Sequence, residues 1–556
     1  MTDLAPRMRW WGWGEDGHDA PLSATAQALL AGELGVLPAR RDPVALDDVR
    51  LPDGKLSADA RARLAAIVGD EHLRDDRLTR VAHAAGRGYH DLVRLRSGDA
   101  DGAPDAVAYP GSDDEVAALL AACAELQLAV VPFGGGTSVV GGVEPWRGRF
   151  DAVVTVDLAR LDRLVSVDPV SLTATVQAGM TGPELEAALE QHELTLGHFP
   201  QSFEFSTVGG WVATRSAGQA STGYGRIDAL VVALRVATPS GELTTRAVPA
   251  SAAGPSVREL LVGSEGALGI VTEVTLRVRA RPRVRRYEAF SLPRFEAGTE
   301  AFRALVQAGV APDVARLSDP QETRVSLAMS GGDGLATRAL RAYLRARRHG
   351  DGCLAITGWE GTSEQAIRRR RSATADVLRD HGAVALGTKV GEAWLHGRFH
   401  APYLRDELLA HGVMVETLET ATTWDRLHEL HGAVVAAIDA ALRGRGTPPV
   451  VMGHVSHVYR VGASLYFTFV ARQQEGVELA QWHAAKAAAS DAILVHGGTI
   501  THHHAVGRDH GPWLPGEVGE LGVELLRAAK ATLDPVGVMN PGKLLDPAPL
   551  PGAGPT

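Results

Sequence analysis

Cysteine is almost missing from this 556-residue chain: only Cys123 and Cys353 occur. Two thiols are too few for a disulfide framework or a cysteine metal cluster, and they fit a reducing interior, the cytoplasm. No uninterrupted apolar run approaches the roughly 18 residues of a spanning helix. The N-terminus opens on polar and charged residues, without the apolar core of a secretory signal. No basic run is long enough for nucleic acid. The 56 basic and 66 acidic residues leave a formal charge of −10, and the run Arg368 to Arg371 reads as a solvated helix face. The last three residues, Gly554, Pro555 and Thr556, match no peroxisomal tripeptide. These absences predict a cytoplasmic protein with no membrane span and no polyanionic partner.

With 45% hydrophobic and 22% charged residues, the composition is that of a globular chain, and its length calls for two or three packed units. Residues 1–100 read as a mostly helical arm carrying Trp10, Trp11 and Trp13 and an amphipathic stretch from Ser57 to Gly69. The tryptophans read first as anchors on the main body, and otherwise as a membrane-interface patch for an oily substrate. From 101 to 281 short β-rich runs alternate with helices and glycine turns, which predicts an α+β domain. A capping box at Thr181 to Glu184 starts a helix over 182–191. Residues 282–495 read as a substrate domain. In 496–556 a glycine-led turn precedes one helix near Gly516 to Leu533 and the closing DPVGVMNPGKLL, a segment expected to pack back on the first domain.

The glycine loop PFGGGTSVVGG, Pro132 to Gly142, suits a diphosphate. Gly134, Gly135 and Gly136 let backbone N–H groups come close to an anion, and Thr137 and Ser138 add hydroxyl donors. It is not a Walker A loop, because no Gly-Lys-Ser/Thr follows, and Val139 stands where GxGxxG needs its third glycine. A tight surface turn would use the same residues.

Three further segments carry more. They are PQSFEFSTVGG from Pro200, TRSAG from Thr214 and GSEGALGIVT from Gly263. With the glycine loop they resemble the FAD-binding domain of the vanillyl-alcohol-oxidase flavoproteins. The resemblance implies an α+β fold, with a two-subdomain FAD-binding domain of the PCMH type and an α+β cap domain. It also implies flavin contacts by Pro132, Phe133, Gly134, Gly135, Gly136, Thr137 and Ser138; by Gln201, Ser202, Phe203, Glu204, Phe205, Ser206 and Thr207; by Thr214, Arg215, Ser216 and Ala217; and by Glu265, Gly266, Ala267, Leu268, Gly269, Ile270 and Val271. Relatives that attach FAD covalently use a histidine in the glycine loop. This loop has none, so non-covalent FAD is expected.

Function turns on what faces the flavin. Flavin-linked 2-hydroxyacid dehydrogenases share the closing DPxGxxNPGK, Asp534 to Lys543 here, but carry HxGDGNxH and SGEHGxG, which support a metal. This chain has GHVSHVYRVGASLYF from Gly453 and THHHAVG from Thr501 instead. Those replacements, with Trp11 to Gly14, Arg316-Leu317 and Glu419 to Asp425, resemble the alkyldihydroxyacetonephosphate synthase family of ether-lipid synthesis. The resemblance implies exchange of the acyl group of an acyl-dihydroxyacetone phosphate for a long-chain fatty alcohol. By it Tyr459 transfers the proton, His502, His503 and His504 act on the leaving carboxylate and incoming alcohol, and Arg316 binds substrate. A homodimer and peripheral contact with lipid are implied as well. Ala505 and Arg508 depart from the family's glycine and lysine, and Ser216-Ala217 transposes its order.

Other readings stand beside this one. The runner-up is an FAD-linked oxidoreductase acting on a hydroxyacid or alcohol, and the third is a flavin-binding protein without turnover. Tyr466 is placed as well as Tyr459 by composition alone. The histidines could hold a metal, but on a strand His502 and His504 share a face while His503 points away. No metal is therefore expected. For Tyr459, with an ordinary pKa near 10, to act as a base, neighbouring cations must depress it, and the histidine cluster is the expected source.

Overall fold

The computed structural model describes residue 4 and residues 6–35, 39–330 and 335–552. The C-terminal tripeptide considered above lies outside the described residues. Each β-rich run of residues 101–281 forms a strand, as its β-branched content favours. Leu73–Arg74, Ala106–Ala108, Val153–Asp157 and Ala129–Phe133 make a four-stranded sheet in that order. Its last three strands run parallel, a pairing that needs a crossover, supplied by helix Asp113–Glu125, and that buries both faces. Val130, Val131, Val154 and Val156 are accordingly sealed from solvent.

The second sheet is antiparallel: Leu164–Asp168, Thr173–Gln177, Ile270–Arg277, Val231–Thr238 and Gly241–Thr244. One core joins the two sheets. Helix Gly182–Glu190 begins at the expected capping box, where Thr181 N–H donates to Glu184 at 2.8 Å.

A seven-stranded sheet builds the other half, ordered Val384–Gly387, Val284–Leu292, Cys353–Gly361, Val314–Ser318, Val450–Val455, Gly462–Arg472 and Val413–Thr423. In Gly462–Arg472 the period of two decides what faces where. Leu465, Phe467 and Phe469 are buried in one core with Leu427, Leu430, Val434, Ile438 and Leu442, a single stripe of helix Leu427–Arg443. Ser464 and Tyr466 point to the opposite face, where the candidate site lies.

The N-terminal arm has helices Ala24–Leu34, Ala58–Val68, Arg77–Ala82 and Tyr89–Arg96. Trp10 and Trp13 are buried, and Trp13 N–H donates to Asp406 at 2.7 Å. The guanidinium groups of Arg9 and Arg96 cover Trp11. The cluster is a packing anchor; its two buried rings form no lipid-facing patch. Near the C-terminus the single expected helix is two, Leu514–Val518 and Glu520–Leu533, because Gly519 at φ 75° takes the left-handed conformation that ends a helix. Segment 538–540 then lies along strand Ala129–Phe133, with Val130 N–H donating to Val538 at 2.8 Å and Asn540 N–H to Val130 at 2.7 Å. Among the described residues no helix is long and apolar enough to cross a membrane.

Candidate active site

The glycine loop leaves strand Ala129–Phe133 and turns tightly over segment 205–207. A Cβ on Gly135 would sit 1.9 Å from the Phe205 carbonyl oxygen, and one on Gly134 2.2 Å from the Thr207 hydroxyl. Among the described residues the N–H groups of Gly134, Gly135, Gly136 and Thr137 meet no backbone acceptor. Donors left open in a row suit a diphosphate. A largely apolar cleft adjoins them, walled by Pro132, Val140, Leu158, Ala213 and Ile270. The residues present therefore fit FAD. Gly135→Ala should force loops 134–138 and 205–207 apart and weaken FAD retention at least about tenfold, read as flavin absorbance per purified chain.

The predicted flavin contacts divide into two groups. Pro132, Phe133, Gly134 and Ser138 line the cleft, as do Thr207, Thr214, Glu265, Gly266, Gly269, Ile270 and Val271. The others brace it. Gln201 donates to the Arg398 carbonyl at 2.6 Å, Glu204 accepts from the Tyr403 hydroxyl at 2.6 Å, and Phe203 stacks on Phe399. Ser206 accepts from Trp211 Nε1 at 2.7 Å, and the Ser202 carbonyl accepts from Phe205 and Ser206 N–H. Arg215, left-handed at φ 52°, pairs with Asp228 and Glu259, and the Ser216 hydroxyl meets His198 at 3.1 Å. Ala217, Ala267 and Leu268 are buried.

The histidine loop is not a strand. Residues 502–504 form a bend around one carboxylate, Glu419, which overturns the expected alternation of faces. Glu419 accepts from the Thr501 hydroxyl at 2.7 Å and from the N–H groups of His502, His503 and His504 at 2.6, 3.1 and 2.8 Å. Burial opposes its charge, but the contacts it accepts from the loop hold its carboxyl well below the usual range. The bend brings all three rings together: His502 Nδ1 lies 3.1 Å from His503 Nδ1, and His503 and His504 pack edge to face.

Beyond the bend the chain reaches the cleft. Ala505 lines it at φ 80°, the left-handed region where a glycine would be unstrained. Val506 and Gly507 N–H donate to the Glu265 carboxylate at 2.8 and 2.6 Å, and Arg508 N–H donates to Val140 at 3.0 Å. Arg508 itself pairs with Glu144. Loop 501–509 thus spans from Glu419 on the second domain to the glycine loop on the first.

Tyr459 stands on the turn before strand Gly462–Arg472, fixed by Tyr459 N–H to Gly462 at 2.8 Å and Trp424 Nε1 to the Tyr459 carbonyl at 3.1 Å. Its hydroxyl meets His502 Nε2 at 2.6 Å. The rival, Tyr466, is enclosed in the sheet row with its hydroxyl engaged by Thr417. The histidine cluster is not the source of positive charge beside Tyr459 that the sequence suggests. Burial keeps the imidazoles neutral, with His502 driven to about 3 and His503 and His504 also lowered, so they bring no cation. Burial pushes the Tyr459 phenol up to about 12, opposed by the positive charge of Arg226.

Strand register extends the site across the sheet. His454 pairs with Tyr466, and Tyr466 with Glu419; His454 also stacks on Tyr466 at 4.9 Å. Arg316, two residues before Ser318, the register partner of His454, lies on the same face of the sheet. Its fork is already engaged, by Glu322 at 2.6 Å and His454 Nε2 at 3.0 Å, with 24% of the side chain exposed. Sequence reasoning missed Glu419 as anchor and His457, whose Nδ1 meets Ser221 Oγ at 2.6 Å and whose ring stacks on His502. The signal for Glu419 was present in ETATTWD, but nothing local ties it to residues 501–504.

The buried groups predict acid lability. Burial lowers His198, His502 and His510 to about 3, so below pH 6.5 the unfolded chain takes up protons that the folded chain refuses. Their contribution is fully present above 6.5 and is lost as pH falls toward 3. Glu265, raised by burial to about 7, acts in the opposite sense, favouring the fold at low pH. The lowered imidazoles, which also include His457, His503 and His504, outnumber the raised carboxyls Glu265 and Asp406, so stability falls as pH drops below 6.5. Urea midpoints should fall steeply from pH 7 to pH 5.5.

Residues 104–246 match the FAD binding domain family and residues 281–544 the C-terminal domain of FAD linked oxidases. The chain is an FAD-dependent enzyme of this two-part class. Its fold is shared with p-cresol methylhydroxylase, solved with substrate bound, at a TM-score of 0.66 and 14% identity over 88% of this chain and 96% of that one. A nearer likeness narrows the class. Alkyldihydroxyacetonephosphate synthase from Dictyostelium discoideum is 33% identical over 98% of this chain and 94% of its own length. A solved alkyldihydroxyacetonephosphate synthase superposes with a TM-score of 0.83 at 30% identity, covering 97% of this chain and 100% of that one. The chain belongs to the alkyldihydroxyacetonephosphate synthase family.

Proposed function

We propose that this enzyme exchanges the acyl group of an acyl-dihydroxyacetone phosphate for a long-chain fatty alcohol, with no net redox change. The observation that carries the reading is the 2.6 Å contact of Tyr459 with His502, on a loop anchored at one end by Glu419 and at the other by Glu265 beside the FAD cleft. FAD, when bound, supplies an electrophilic ring that can hold the carbon skeleton while one oxygen substituent is replaced by another. Its attachment is read as non-covalent, since among the described residues the cleft lining includes neither histidine nor cysteine.

The residues divide the remaining work. With His502 neutral and Nε2 free of a proton, the phenol donates to it, and the pair holds one proton between oxygen and nitrogen. A phosphate-bearing substrate brings negative charge against His502, His503 and His457. That charge favours imidazolium, and Tyr459 is left as the oxygen that takes a proton from the carbon beside the ketone. His503 and His504 serve the departing carboxylate and the arriving alcohol. Arg316, its fork preset by Glu322, is assigned to the substrate anion.

Anaerobic addition of D-lactate or glycolate to the yellow protein tests the reading against hydroxyacid oxidation. The flavin should stay oxidised. Rapid bleaching by either acid would move the assignment to an oxidoreductase.

A further inference from the structure

The expectation of no metal rests on strand alternation, which the bent histidine loop does not have. With residues 502–504 wrapped around Glu419, one ring nitrogen from each of His457, His502 and His503 lies within 4.8 Å of the other two. Nδ1 of His502 stands 3.1 Å from Nδ1 of His503, and the His457 ring packs against both, with centroids at 5.1 and 5.2 Å. Two nitrogens bound tetrahedrally to zinc at about 2.0–2.1 Å are about 3.3 Å apart. The closest pair therefore already spans one edge of such a site.

Two of the rings are held from behind. Ser221 Oγ meets His457 Nδ1 and the Tyr459 hydroxyl meets His502 Nε2, both at 2.6 Å, so the opposite nitrogens, His457 Nε2 and His502 Nδ1, are left to ligate. A hydrogen-bonding partner on the far nitrogen is what orients a metal-ligating imidazole. Buried Glu419 brings the compensating charge, with Oε2 3.4 Å from His503 Nδ1. His503 keeps 15% of its side chain exposed, which gives an ion its way in. Imidazoles beside one carboxylate suit zinc and its neighbours in the periodic table; magnesium and calcium take oxygen ligands. Among the described residues one other group has the spacing, His90, Asp91 and Glu144. There Arg94 already pairs with both carboxylates and Arg508 with Glu144, so an ion would have to displace guanidinium groups.

We propose that His457, His502 and His503 form a binding site for a divalent transition ion of the zinc class, and that the ion switches alkyl transfer off. A neutral imidazole carries one ring proton. While Nε2 of His502 receives the Tyr459 phenol, that proton stands on Nδ1. An ion bound at Nδ1 moves it to Nε2, and His502 then has no lone pair for the phenol. Binding rests on geometry alone, whereas the switch rests on the proton pair of Tyr459 and His502 in the reading above.

The test titrates zinc chloride into FAD-loaded, full-length protein that carries no affinity tag and has been stripped of metal with EDTA, then of EDTA. Calorimetry should show a single tight equivalent of zinc and no binding of magnesium. His457→Gln and His503→Gln should each weaken zinc binding by about a hundredfold or more, and Ser221→Ala, which frees the back of His457, by about tenfold or more. Cobalt(II) is the spectroscopic probe: its visible bands, at longer wavelength than the flavin's, should have tetrahedral intensity and vanish in His457→Gln. In the alkyl-transfer assay stoichiometric zinc should lower kcat by at least about tenfold, and EDTA should restore it. No tight equivalent in the parent, or one that His457→Gln leaves unchanged, overturns the site. Zinc that binds at full strength without slowing transfer overturns the switch. Zinc binding in a protein that never transfers an alcohol would sink the functional reading alone, since calorimetry and the cobalt spectrum need no turnover.

Discussion

Tyr459→Phe should lower alkyl transfer by about 10²–10⁴-fold, the usual worth of a positioned proton-transfer group, while FAD content and melting stay near those of the parent. The substitution removes one oxygen. That oxygen is 2.6 Å from His502 Nε2, and the ring's position is set independently by the backbone bonds to Gly462 and Trp424. Phenylalanine therefore keeps the packing and loses only the acid–base pair. A matched Tyr466→Phe should be far milder, since that hydroxyl is engaged by Thr417 within the sheet. Comparable losses in the two variants would remove Tyr459 from its special place.

Glu419→Ala should be the most damaging single change in the second domain. One carboxylate, itself buried, satisfies a hydroxyl and three successive N–H groups of the histidine loop. Deleting it strands these donors, each at roughly 1–3 kcal/mol before relaxation. Relaxation and water entry temper the total, and a loss of about 3–5 kcal/mol is expected, read from urea unfolding of the FAD-loaded protein. Activity should vanish with it, because His502 owes its place opposite Tyr459 to this anchor. Glu419→Gln keeps one acceptor and should fall between the two. A Glu419→Ala protein of parental stability and turnover would mean that the loop holds its shape by other means.

The two halves of the site were unequally legible in the sequence. The glycine loop could be read because its function is in its backbone: three glycines in a row allow a close approach that a Cβ on Gly135 would block, and that requirement is local. The capping box at Thr181 was readable for the same reason, since its four residues satisfy one another. The histidine loop gave up its residues but not its shape. A run of three histidines carries no periodic apolar signal, so alternation was the natural expectation, whereas a carboxylate 82 or more residues earlier bends it. The electrostatics were misjudged for a related reason. Burial disfavours the charged imidazole, and the tripeptide does not announce that burial. His457 had no motif to mark it; its place depends on packing between segments more than 200 residues apart, as the Ser221–His457 contact shows.

Incubation of the purified enzyme with palmitoyl-dihydroxyacetone phosphate and labelled hexadecanol, under a continuous flavin spectrum, is the most direct measurement of the central claim. The account predicts label in an alkyl-dihydroxyacetone phosphate, one palmitate released for each ether formed, and a flavin that is oxidised at the end as at the start. Palmitate release without label in the product, or stoichiometric flavin reduction, would contradict it.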